Sequence, residues 1–155
     1  MSEKTTICLW YDGTALEAAE LYTSLLPDSR IDHVQKAPAD YPSGKAGDVF
    51  VVSFTLAGRS YIALNGGPMY AFTEAVSIQV SCDSQEEIDR LWAALSARPE
   101  AEACGWCKDR FGLSWQIVPS RLPEWLGGAN GGKVQQAYMQ MKKFDIAGLE
   151  AAAKG

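Results

Sequence analysis

The chain has 155 residues, 47 % of them hydrophobic and 21 % charged, with a formal net charge of −5. That length suits one domain with a sizeable buried core, and the composition is ordinary for a globular protein rather than a disordered or fibrous one. No cluster of Lys or Arg is dense enough to follow a phosphate backbone, which argues against a nucleic-acid partner, and no apolar run nears the roughly 20 residues a bilayer-spanning helix needs. The opening MSEKTT lacks a basic-then-apolar export pattern. The expectation is therefore a cytoplasmic protein with no membrane partner, whose Cys8, Cys82, Cys104 and Cys107 are free thiols.

In chain order, residues 5–11 alternate and read as a strand, with Thr6, Cys8 and Trp10 on one side and Ile7, Leu9 and Tyr11 on the other. Asp12-Gly13-Thr14 stops it and offers N-cap chemistry to a three-turn helix carrying Leu16, Ala19, Leu21, Tyr22 and Leu25 on one face, which Pro27 ends. A short strand at 30–36, a Pro/Gly/Ala-rich loop at 37–48, and strands at about 49–57 and 60–65 follow. Asn65-Gly66-Gly67-Pro68 reads as a turn that opens a bridge to a second half. That half repeats the order: a strand at 75–82, a helix at about 84–97 capped by Asp83 or Ser84, a weak strand around 101–104, and strands at 105–110 and 113–118. Asp109-Arg110-Phe111-Gly112 is the turn before the last strand. A glycine-rich loop at 127–132 and helices at about 133–142 and 146–153 form the tail.

The Cys104-Gly105-Trp106-Cys107 string is not read as a redox pair. It runs into a strand rather than opening a helix, so no helix dipole lowers the first thiol's pKa, and residues three apart on a strand face opposite sides.

Both halves thus read as strand, helix, then three strands. This order, together with LWYDGTALEAAELY, FTLAGRSYIALNGGP, EAVSIQVSC and CGWCKDRFGLSWQIVP, resembles the vicinal-oxygen-chelate superfamily of glyoxalase I, bleomycin-resistance proteins and extradiol dioxygenases. Within it, the chain is similar to the PhnB-like branch, also described as 3-demethylubiquinone-9 3-methyltransferase-like. The resemblance implies an α+β fold in which two βαβββ modules form a U-shaped mixed-sheet cleft with helices outside. The chain would be a single domain over 1–155, with modules at about 5–68 and 74–119 and a helical tail over 120–155.

Enzymes of that superfamily hold a divalent metal at the base of the cleft. The resemblance implies ligands at the start of each module's first strand and at a set place in its last. Aligning Gly58 with Gly112 places Ser60 on Ser114 and Ile62 on Gln116, and alternation sets Thr6 opposite Ser77. Of Thr6, Ile62, Ser77 and Gln116, only Gln116 resembles a metal donor, and a slip of one residue offers only Thr5, Tyr61, Val76 and Trp115. The single histidine, His33, lies on another strand. The expectation is no metal and no cofactor.

The cleft would instead be lined by Thr6, Cys8, Trp10, Ser60, Ile62, Leu64, Ser77, Gln79, Ser81, Ser114, Gln116 and Val118, with Trp106 and Lys108 on one strand face beside it. Hydroxyls, amides and indoles suit a small, mildly polar organic ligand. Tyr41, Tyr70 and Phe72 sit in loops that would cover the mouth. Catalytic residues are not assignable, since one distant histidine cannot serve a triad, and no glycine-rich strand-to-helix turn of the S-adenosylmethionine-binding kind is present. The leading expectation is a metal-free small-molecule-binding protein. The alternatives are a divergent glyoxalase- or dioxygenase-type enzyme and an interaction module with a vestigial cleft. An apolar stripe of Val134, Ala137, Tyr138 and Met141 on the tail helix predicts a homodimer with that helix at the interface.

Overall fold

Alternation of side chains decides the first sheet. In the computed structural model, which describes residues 3–155, β1 (Ile7–Tyr11) buries Leu9 and Tyr11 and leaves Cys8 exposed. It pairs parallel with β4 (Arg59–Asn65), which pairs antiparallel with β3 (Val49–Leu56), and β3 pairs with β2 (Arg30–Lys36), giving the order β1-β4-β3-β2. The parallel β1–β4 pair needs a crossover, and it begins with α1 (Ala15–Leu25). This helix lays Ala15, Ala18, Ala19 and Tyr22 toward the buried face of the sheet. The alanines bring the backbone close, while Tyr22 fills the remaining space: its hydroxyl lies 3.0 Å from that of Tyr11, and its ring is 6.3 Å from Phe54. Phe54 in turn stacks on Tyr61 at 5.4 Å. Each such fully buried large apolar side chain contributes about 1.5–3 kcal/mol.

The second unit starts at Phe72; the first ends at Ala71, inside the predicted bridge. Its sheet is β5-β7-β6, from β5 (Ser77–Cys82), β7 (Ser114–Pro119) and β6 (Trp106–Lys108), with β5–β7 parallel and β6–β7 antiparallel. Between β5 and β6, α2 (Gln85–Leu95) buries Ile88, Leu91 and Leu95 and packs on β7, where Trp115 and Ile117 are buried. Ser84 caps α2 by accepting a hydrogen bond from the Glu87 amide at 3.1 Å, and Glu87 reaches back to the Asp83 amide at 3.0 Å.

The predicted strand at 101–104 does not form. Pro99–Ala101 makes a single 3-10 turn, and the left-handed backbone of Cys104 and Gly105 (φ of +51° and +81°) leaves only an isolated bridge between Ala103 and Trp106. The second sheet therefore has three strands where the duplicated pattern predicts four. Ile7, on the same side of β1 as the buried Leu9 and Tyr11, is 44 % exposed.

Three helices complete this unit: α3 (Leu122–Gly127), α4 (Gly131–Tyr138) and α5 (Ile146–Lys154). The first was not expected, and Pro123 explains it, since proline in a first turn starts a helix rather than breaking one. The helices share a core of Trp125, Val134, Phe144 and Leu149 with Val118 of β7. Ala137, Tyr138 and Met141 pack against that same core. The apolar stripe taken as a dimer contact is thus occupied within its own unit. Among the described residues, no helix is long and apolar enough to cross a membrane.

Candidate functional site

One face of each sheet lies under its helix and the other is open, and the chemistry-bearing side chains lie largely on the open faces. In the first unit Cys8 is exposed, and Trp10, Ser60, Ile62 and Leu64 are half-buried, whereas Leu9, Tyr61 and Ala63 are buried. Thr6 precedes β1 and, with Ser60 and Arg59, lines a shallow recess of about 320 Å³. Trp10 is not a free aromatic plate. Its Nε1 donates to the Gly67 carbonyl at 2.8 Å, and its ring lies so close to Gly66 that a Cβ there would sit 2.3 Å from it. Asn65-Gly66-Gly67-Pro68, expected as a simple turn, is therefore the seat of this indole. Tyr70 meets Trp10 edge-on at 4.9 Å, and Tyr41 packs on Phe50 at 4.8 Å.

In the second unit Gln79 and Ser81 are exposed, and Ser77, Trp106, Lys108 and Gln116 are half-buried. Ser114 and Val118 are buried, Ser114 at 2 % exposure and Val118 in the core under the tail, yet each reaches the lining of a recess. Gln79, Ser81, Trp106 and Gln116 meet α3 and α4 around a concavity of about 590 Å³. Trp106, Lys108 and Ser114 line a second recess of about 410 Å³ with Glu74. Lys108 is ion-paired with Glu74, and that hydrogen bond is the main cause holding the Glu74 carboxyl below its usual range. The ammonium is thus already matched to a carboxylate.

The alignment behind the implied metal positions agrees with the strand registers. Cys8 faces Ile62 across β1–β4, and Gln79 faces Gln116 across β5–β7; Thr6 and Ser77 each sit two residues earlier. Gln116 Nε2 donates to Ser77 Oγ at 2.9 Å, so those two positions do meet. A divalent ion does not fit the donors present: two hydroxyls, an aliphatic chain, and an amide whose nitrogen is directed at one of those hydroxyls. Among the described residues no three His, Cys, Asp or Glu side chains gather as a candidate cluster. His33 is exposed on β2, beside Gln35 at 3.4 Å.

Three of the thiols are held above their ordinary range. Burial, then the charges of Asp109 and Glu102, pushes the Cys107 thiol up to about 12, and burial with Glu87 and Asp83 does the same to Cys82. Desolvation also raises Cys8.

Two residues matter more than their sequence context announced. Asp109 is fully buried; one carboxylate oxygen accepts from the Phe111 and Leu113 amides at 2.9 and 3.0 Å, and the other from Trp115 Nε1 at 2.9 Å. It pins the turn that delivers β7. Asn65 Oδ1 accepts from the Ala15 amide at 2.9 Å while its Nδ2 donates to the Val49 carbonyl at 2.9 Å, fixing the start of α1 to the sheet. The predicted Thr14 cap makes no side-chain bond. A buried Asp before a glycine turn is a visible signal, but nothing local in the sequence marks the Asn65 contact.

The family model described as 3-demethylubiquinone-9 3-methyltransferase matches residues 3–118. The chain is similar to the PhnB protein of Bacillus cereus at 32 % identity and a TM-score of 0.64, covering 76 % of this chain and 99 % of that one. Protein PA1353 of Pseudomonas aeruginosa shares 21 % identity at a TM-score of 0.57, with 76 % and 98 % covered. The fosfomycin resistance protein FosX of Listeria monocytogenes shares 16 % at 0.51, with 80 % and 96 % covered. These last two likenesses concern the fold alone. No curated protein matches the chain. With its strand registers and its match from residue 3 to residue 118, the chain belongs to the PhnB-like, 3-demethylubiquinone-9 3-methyltransferase-described family of the vicinal-oxygen-chelate superfamily.

Proposed function

We propose that this protein binds a small organic molecule without a metal ion, through neutral side chains on the open sheet faces. The observation that carries this reading is the burial pattern: in both units the face bearing Cys8 and Ile62, or Gln79 and Gln116, is left uncovered by the crossover helix. Hydroxyl, amide and indole groups beside apolar walls hold a ligand by shape and a few hydrogen bonds. The methyltransferase in the family description is read as a name, since no glycine-rich cofactor turn accompanies it. A cytoplasmic homodimer completes the proposal; Ile7 and Val76, 44 % and 58 % exposed on or just before edge strands, support self-association.

Native mass spectrometry of the purified protein tests the ligand: a co-purifying compound at one per chain is the expected outcome. Calorimetric titration with Mn, Ni, Zn and Fe should give no tight single-site binding. A submicromolar one-to-one isotherm with any of them would overturn the metal-free reading.

A further inference from the structure

The tail helices do more than extend the chain. We propose that α3 and α4 turn the open face of the second sheet into a ligand pocket, and that its occupant is an uncharged, flat, partly aromatic molecule with one or two hydrogen-bonding groups. This inference rests on the small-molecule reading above and narrows it to one place and one ligand class.

The pocket holds about 590 Å³, within the range of roughly 300–1,000 Å³ usual for small-molecule sites. Its floor is polar but neutral: Gln79 and Ser81 come from β5 and Gln116 from β7, while Gln135 adds an amide from α4. Each amide offers both a donor and an acceptor, which suits a carbonyl or hydroxyl on the ligand. The walls are apolar. Trp106 stands on the sheet side, and Tyr138, held edge-on to Phe144 at 5.8 Å, stands on the tail side. Leu126 and Met139 line the opening while 38 % and 57 % exposed. Large apolar side chains gathered around a concave, amide-floored space suggest a binding site. Among the described residues, no Asp, Glu, Lys or Arg lines it, so a charged ligand would be desolvated without a counter-charge.

The tail wall is fixed rather than loosely tethered. The Cys104 and Gly105 amides donate to the Met141 and Lys142 carbonyls, each at 2.8 Å. The Gln85 side chain donates to the Phe144 carbonyl at 2.9 Å and accepts from the Ile146 amide at 2.8 Å, and Lys143 pairs with Asp89 at 2.7 Å. A wall held this way costs little ordering when a ligand enters. The match to the family model ends at residue 118, before α3 and α4 begin.

The test is a fluorescence titration of the full chain with N-phenyl-1-naphthylamine, an uncharged flat probe, and with its sulfonated relative 1-anilinonaphthalene-8-sulfonate. The neutral probe should saturate at one per chain, with the sulfonate at least tenfold weaker. Leu126→Glu and Met139→Glu alter exposed wall positions, so both variants should keep the native melting temperature and weaken the neutral probe at least tenfold. Gln136→Glu, on α4 but outside the pocket, should leave its affinity within twofold. The inference is overturned by absence of saturable binding, by equal affinity for the sulfonate, or by folded Glu variants that bind as the parent does. If it falls while a compound still co-purifies with the protein, the broader binding reading stands; if nothing co-purifies but the titration behaves as expected, the pocket stands and the co-purification claim fails.

Discussion

Gly105 shows how much one residue can carry. Its φ of +81° is a conformation that L side chains resist, and a Cβ there would lie 2.4 Å from the Phe144 ring. Gly105→Ala should therefore destabilise the protein by about 2 kcal/mol or more, read from the urea midpoint, through backbone strain and displacement of Phe144 together. Asp109→Asn keeps an acceptor for two amides but turns an NH₂ toward the Trp115 indole N–H, replacing that hydrogen bond with a donor–donor contact. It should cost about 1–3 kcal/mol in the same measurement. The thiols give a pH-dependent readout. A thiol pKa raised to about 12 keeps Cys82 and Cys107 protonated and unreactive at pH 8, where roughly one molecule in 10⁴ is thiolate. Iodoacetamide at pH 8 should label Cys8 in the folded protein and reach Cys82 and Cys107 only after denaturation, as peptide mass spectrometry would record. Rapid native labelling of Cys107 would contradict its burial.

At the level of elements, the strands that alternate were legible and the parts held by distant partners were not. β1, β3, β4, β5 and β7 sit within two residues of their predicted places, because a face buried under a helix writes itself into every second residue. The stretch at 101–104 failed since its apolar pattern is overruled by a left-handed pair and a proline. The start of α1 fell where expected, directly after Thr14, but the side chain that caps it is Asn65, fifty positions along, and no local window contains it. Asn65→Ala removes hydrogen bonds to both α1 and β3 and should cost about 2 kcal/mol, seen as a lower melting temperature. Thr14→Ala, by contrast, should be nearly neutral because its side chain makes no cap bond.

For the whole molecule, the duplicated plan was readable and the tail's purpose was not. Periodicity and the repeated glycine-then-strand pattern pointed to the two sheets, and the Gln116–Ser77 contact follows from the register they share. The stripe of Val134, Ala137, Tyr138 and Met141 pointed outward only because a sequence does not say that Phe144 and Val118 wait to receive it. Light scattering at micromolar concentration checks the proposed dimer, whose contact must then lie away from that stripe; a stable monomer would remove it. A chain ended after Pro119 uncovers Val118 and hands the Cys104 and Gly105 amides to water. It should keep its far-UV signal yet melt well below the parent. The interlock of Gly105 with Phe144 also bears on engineering: a shorter cousin given these three helices would gain nothing from the transplant unless the left-handed corner travelled with them, so lock and key must be grafted as one piece.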